Sequence, residues 1–88
     1  MIKVISVEPM ENYKLKITLS DNRKGVFDVS PYLDRGVFKE LKDPKNFRRV
    51  YLAYGTVVWP HELDIAPETI EMELQPEPAV NKSRSRVA

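Results

Sequence analysis

Tyr13-Lys14-Leu15-Lys16-Ile17-Thr18-Leu19 decides how this chain folds. Tyr13, Leu15, Ile17 and Leu19 fall on one side of an extended backbone, and Lys14, Lys16 and Thr18 fall on the other. Side chains alternate across a strand, so the pattern predicts a half-buried antiparallel strand with one wet face. Upstream, Ile2 to Glu8 is β-rich and stops at Pro9, which predicts a first strand followed by a polar connection at Met10-Glu11-Asn12. Downstream, Ser20-Asp21-Asn22-Arg23 reads as a turn, because Asp and Asn tolerate left-handed geometry and bond their own backbone. Lys24 to Val29 then forms the third strand of a meander.

Beyond Val29 the period of two is lost. Ser30-Pro31 sets a capping hydroxyl before a proline at a first helical position, and Gly36 ends that short helix. Val37, Phe38 and Leu41 have the spacing of another helical turn, and Asp43-Pro44 repeats the cap-then-proline device. Strands resume at Val50-Tyr51-Leu52 and, after Tyr54-Gly55, at Thr56-Val57-Val58-Trp59, the signature of a hairpin. Pro60 stops the strand, leaving His61 to Asp64 as a loop, and Ala66-Pro67-Glu68 starts a last short helix with acid in its first turn. The predicted class is α+β: one small domain with an antiparallel β-meander, then short helices and a second β-hairpin. Asp28 and Asp64, each leading toward a proline segment, are expected to anchor loops by accepting backbone hydrogen bonds.

After Leu74 the composition shifts. Gln75-Pro76-Glu77-Pro78 interrupts regular structure and Asn81-Lys82-Ser83-Arg84-Ser85-Arg86 is polar and basic. Residues 1–74 are therefore expected to form the domain and 75–88 a flexible basic tail. Lys82, Arg84 and Arg86 are three of the 14 bases, so eleven bases face twelve acids through residue 74 and that part carries −1. A nucleic-acid-binding fold concentrates base on one folded face, which this balance does not suggest.

Eighty-eight residues bury only a little over half of their unfolded surface, so the core is thin and a partner or a second copy is the natural support. The chain has no cysteine, which rules out disulfides and thiolate metal sites. Met1 to Glu8 lacks the apolar run of a signal peptide or spanning helix, and the expected location is cytoplasmic, away from membranes.

Candidate chemistry is sparse. His61, the single histidine, has Glu62 and Asp64 nearby, but a catalytic zinc site takes three well-placed ligands and often two histidines. A solvated turn is the favoured reading, and neither metal nor other cofactor is expected. Ser20 and Ser30 are explained by a turn and a cap. With neither a Gly-x-Ser-x-Gly elbow nor a Gly-rich phosphate loop, a metal-dependent or other enzyme is the least favoured class. Lys45, Arg48 and Arg49, beside Phe47 and Tyr51, are the candidates for pairing phosphates while aromatics stack bases. Trp59, His61, Glu62 and Asp64 are the candidates for partner binding. Trp and Tyr supply large amphipathic contact area at interfaces, although in so small a domain Trp59 is also the natural core plug.

Gly25-Val26-Phe27-Asp28-Val29, Gly36-Val37-Phe38-Lys39-Glu40-Leu41 and above all Gly55-Thr56-Val57-Val58-Trp59-Pro60 with Asp64-Ile65-Ala66-Pro67 resemble a family of small bacterial proteins, domain-of-unknown-function family 2442. The resemblance covers about residues 2–74. It implies a compact α+β fold and an antitoxin-like role beside a small toxin-like protein encoded by a neighbouring gene. The resemblance also implies that some longer relatives carry a helix-turn-helix after this domain; the stretch given after Leu74 is too short for one, so operator binding by a recognition helix is not expected. The leading expectation is a non-enzymatic protein-binding module, with homo-oligomerisation a second source of support. The alternative is a nucleic-acid-binding regulator using Lys45, Arg48, Arg49 and the tail.

Overall fold

The meander forms as β1 (Val4–Met10), β2 (Lys14–Leu19) and β3 (Lys24–Asp28) in a computed structural model that describes residues 1–76. Neighbouring strands pair antiparallel, with Leu15 opposite Phe27 and Ile17 opposite Gly25. Leu15, Ile17 and Leu19 are fully buried while Lys16 is exposed, as the alternation requires. Tyr13 departs from the pattern. It closes a 3-10 turn at Glu11–Tyr13 with a left-handed φ of 62°, just before β2. Its ring still turns inward: the hydroxyl donates to the Lys42 carbonyl and the ring meets Phe47 edge-on at 5.4 Å.

Pro9 does not end β1. The strand runs on to Met10, with Pro9 opposite Leu15, because β1 lies at the sheet edge, where a missing donor need not break a ladder. A bulge precedes it. Val4 pairs with Leu19 and Ser6 with Thr18, which makes Ile5 the extra residue. The insertion resets the alternation, so Val4 and Val7, three apart, both face the core opposite Leu19 and Ile17.

Short turns connect the two sheets. Ser30 does not cap the first of them (Ser30–Tyr32); Asp28 organises it instead. Its Oδ1 accepts the Ser30 N–H at 2.9 Å and the Ser30 hydroxyl at 2.7 Å, the anchoring role predicted for that aspartate. The first turn is over by Tyr32, and Gly36, at φ 46°, opens a second 3-10 segment, Gly36–Lys42, the further helical turn expected from Val37, Phe38 and Leu41. Asp43 caps α1 (Pro44–Phe47) as predicted, accepting the Lys45 N–H at 3.0 Å.

β4 (Tyr51–Ala53) and β5 (Thr56–Trp59) form the expected hairpin through a Tyr54–Gly55 turn in which both φ angles are positive. A third strand joins them. β6 (Leu63–Ile65) pairs Leu63 with Trp59 and Ile65 with Val57, so the predicted loop is only three residues long and Asp64 is the exposed middle of a strand, not a loop anchor. Leu63-Asp64-Ile65 alternates, but three residues are too few to signal a period. α2 (Pro67–Glu73) follows, burying Ile70, and β7 (Gln75–Pro76) pairs with β3. The fold thus extends two residues past the predicted boundary at Leu74; the rest of the predicted tail lies outside the described residues. The result is an α+β domain of two antiparallel sheets, ordered β1-β2-β3-β7 and β4-β5-β6.

The core lies between them. Trp59, fully buried, packs against Phe47 and Phe38, and its indole Nε1–H donates to the Phe47 carbonyl at 2.9 Å. Two polar ties hold α2. Arg23 bridges Asp21 in the β2–β3 turn (2.7 Å) and Glu71 (2.6 Å), while the Tyr32 hydroxyl donates to Glu73 at 2.7 Å. The Arg23 N–H, with its guanidinium, holds the Asp21 carboxyl below its ordinary range. Burial, then the Glu73 contact, raises the Tyr32 phenol.

Gly25 is where β7 seats. A Cβ built there would stand 2.3 Å from the Gln75 carbonyl oxygen and 2.8 Å from Leu74 Cγ. Gly25→Ala should therefore displace β7 and destabilise the domain by about 1–3 kcal/mol, the usual range for overpacking. Urea denaturation measures it, and an unchanged midpoint would show that β7 does not press on Gly25.

Candidate functional site

The loop after Trp59 exists because proline ends the β5 ladder and β6 must return antiparallel within three residues. His61 (φ 72°) and Glu62 (φ 64°) both take the left-handed conformation to make that reversal. His61 is pinned from another element: its Nδ1 lies 2.8 Å from Glu40 Oε1, on the Gly36–Lys42 segment. Glu40 was not a sequence candidate. It stands 21 positions from His61, and nothing local signals such a contact. Glu62 and Asp64 are exposed and make no hydrogen bond or ion pair with His61 among the described residues. Among these residues no group of three or more His, Asp or Glu side chains is placed to hold a metal ion.

Trp59, a partner-binding candidate from sequence, is corrected. With no exposed surface and its one polar atom committed to Phe47, it cannot meet a partner in the folded state. The exposed part of that candidate set is therefore His61, Glu62 and Asp64.

Lys45, Arg48 and Arg49 are all exposed at or just after α1. They do not share a cleft. Arg48 lines one with Met10, Asn12, Tyr13 and Phe47, whereas Arg49 lines another with Glu40, Asn46 and His61. Nearby, Lys42 and Asp34 pair at 2.8 Å, and this contact lowers the Asp34 carboxyl from its ordinary range.

A different surface went unnoticed in the sequence. Tyr51 and Leu52 on β4 remain 48% and 40% exposed, Ile5 on the β1 bulge 51%, and Tyr54 in the hairpin turn 95%. β1 meets this hairpin where the Val4 N–H donates to the Gly55 carbonyl at 2.9 Å. One signal was available. From Pro44 to His61 the chain has three bases, two tyrosines and no acid, an uninterrupted basic and aromatic run.

Residues 4–76 match the model of a family described as protein of unknown function (DUF2442). No curated protein and no solved structure matches the chain. No helix among the described residues is long and apolar enough to cross a membrane.

Left-handed φ costs a non-glycine residue roughly 1–2 kcal/mol. Glu62→Gly should relieve it and, after the added backbone entropy of glycine, raise stability by about 0.5–1 kcal/mol. Thermal denaturation reads this as a higher Tm; a lower Tm would mean that the Glu62 side chain itself holds the loop.

Proposed function

We propose that this chain, which belongs to the DUF2442 family, is a non-enzymatic protein-binding module and acts as the antitoxin-like partner of a small toxin-like protein. Tyr54 carries the reading. A two-residue hairpin turn with positive φ at both positions favours Asn-Gly, because Asn tolerates left-handed geometry and a bulky residue is strained by it. This chain has Tyr54-Gly55, with φ 56° and 74°, and the tyrosine ring is almost wholly in water. Its ring makes no aromatic or hydrogen-bonded contact among the described residues. A local rule is broken with no gain inside the fold, which is the mark of a residue retained for an external contact.

Its surroundings support the same role. Ile5, Tyr51 and Leu52 are also exposed on the adjoining strands, and apolar side chains left outside the core suit association. The kind of partner is our inference from what the resemblance to this family implies, a small toxin-like protein encoded by a neighbouring gene.

Co-expression with the product of the neighbouring gene, size-exclusion chromatography and a growth assay test the proposal. The expected result is one co-eluting complex and relief of growth arrest. Tyr54→Asn supplies the control, because it installs the favoured turn and should leave Tm unchanged or higher while weakening the complex about tenfold or more. No complex and no relief of toxicity would sink the proposal.

A further inference from the structure

Four strands lie at sheet edges: β1, β7, β4 and β6. An exposed edge invites another strand, and proteins blunt edges with bulges, prolines, charges or very short strands. β1 has the Ile5 bulge and Pro9. β7 is two residues long and ends in Pro76, and β6 sets the exposed Asp64 at its centre. β4 is different. It is short, at three residues, but from Val50 to Thr56 the chain has neither a charge nor a proline.

β1 meets the turn end of this hairpin, where the Val4 N–H donates to the Gly55 carbonyl, and among the described residues the backbone of β4 is unpaired at Leu52. Ala53 and Thr56 close the two-residue turn, and antiparallel ladders alternate bonded and non-bonded pairs. The Leu52 N–H and C=O therefore point away from β5, and no hydrogen bond takes them among the described residues. Tyr51 and Leu52 project to opposite faces of the sheet, so both sides of an added strand would find an apolar wall.

Charge selects the occupant. Arg48 and Arg49 lead into β4, and the Lys3 side chain lies over Gly55 at the other end. Two copies pairing antiparallel about Leu52 would set Arg49 of one against Gly55 of the other, beside its Lys3, a cation facing a cation at both ends. We propose that the free edge of β4 is a docking strand for an extended, apolar segment of a partner protein that carries acidic residues at both ends. The proposal rests on the protein-binding reading and adds to it the edge, the backbone contact and the partner's chemistry.

The probe is a synthetic peptide of alternating valine and threonine with glutamates at both ends, compared with its lysine-ended counterpart, titrated into the full chain by NMR. Binding of the glutamate-ended peptide, with shifts over Tyr51–Tyr54 and slowed exchange of the Leu52 amide, is expected. Leu52→Pro removes the outward donor and should weaken binding about tenfold. If that variant does not fold, Arg48→Glu with Arg49→Glu decides, and it should invert the preference between the two peptides. Equal binding of both peptides, shifts that avoid β4, no binding at all, or concentration-dependent dimers paired through β4 would each overturn the proposal. Should the neighbouring-gene product bind the wild-type chain and the charge-reversed variant equally well, the protein-binding role stands and the β4 edge is not its site.

Discussion

The hydrogen bond from the Trp59 indole to the Phe47 carbonyl is the constraint on which the rest depends. It joins the last residue of β5 to the end of α1, and so sets the second sheet against the connecting turns. The bond also meets the one polar requirement of the largest buried side chain, which would otherwise pay a desolvation penalty. Around it, Phe47, Phe38, Tyr32 and Phe27 run as a chain of ring contacts from one sheet to the other. That aromatic seam crosses a core that is otherwise aliphatic, with Leu15, Ile17, Leu19 and Ile70 fully buried around it.

The meander was legible because period two is a long-range signal spread over seven residues. The hairpin at Tyr54–Gly55 and the cap at Asp43 were legible because turn and cap chemistry is local. What escaped was short or distant. β6 has three residues, and the Ile5 bulge cannot be told from ordinary alternation until the partner strand is known. Pro9 looked like a stop because sequence does not say which strands lie at an edge. The His61–Glu40 pair joins two loops that only the fold brings together. Trp59 could be read as core or as surface from its neighbours alone, and packing decided for the core. Tyr54 was hidden for the opposite reason, since a tyrosine before a glycine looks like any strand end until its φ and exposure are seen.

Left-handed backbone is unusually common here. Asn12, Tyr13, Asn22, Tyr54, His61 and Glu62 all adopt it without being glycine. Asn12 and Asn22 do so cheaply, and Tyr13 is offset by its hydrogen bond to Lys42 and its contact with Phe47. His61 has Glu40. Tyr54 and Glu62 have no such compensation among the described residues, and of the two Tyr54 is the one that sets a large ring in water.

The pairing of β7 with β3 has a consequence for synthesis. β1, β2 and β3 join residues close in sequence, so they can pair as soon as the first thirty or so residues have left the ribosome. The far side of β3 is closed only by Gln75 and Pro76, which reach Val26 and Gly25 across most of the chain. Until those two residues emerge, a nascent meander carries an uncovered strand whose Gly25, Val26 and Phe27 are all destined for burial. The order of translation therefore leaves the sheet one strand short through most of the chain's elongation.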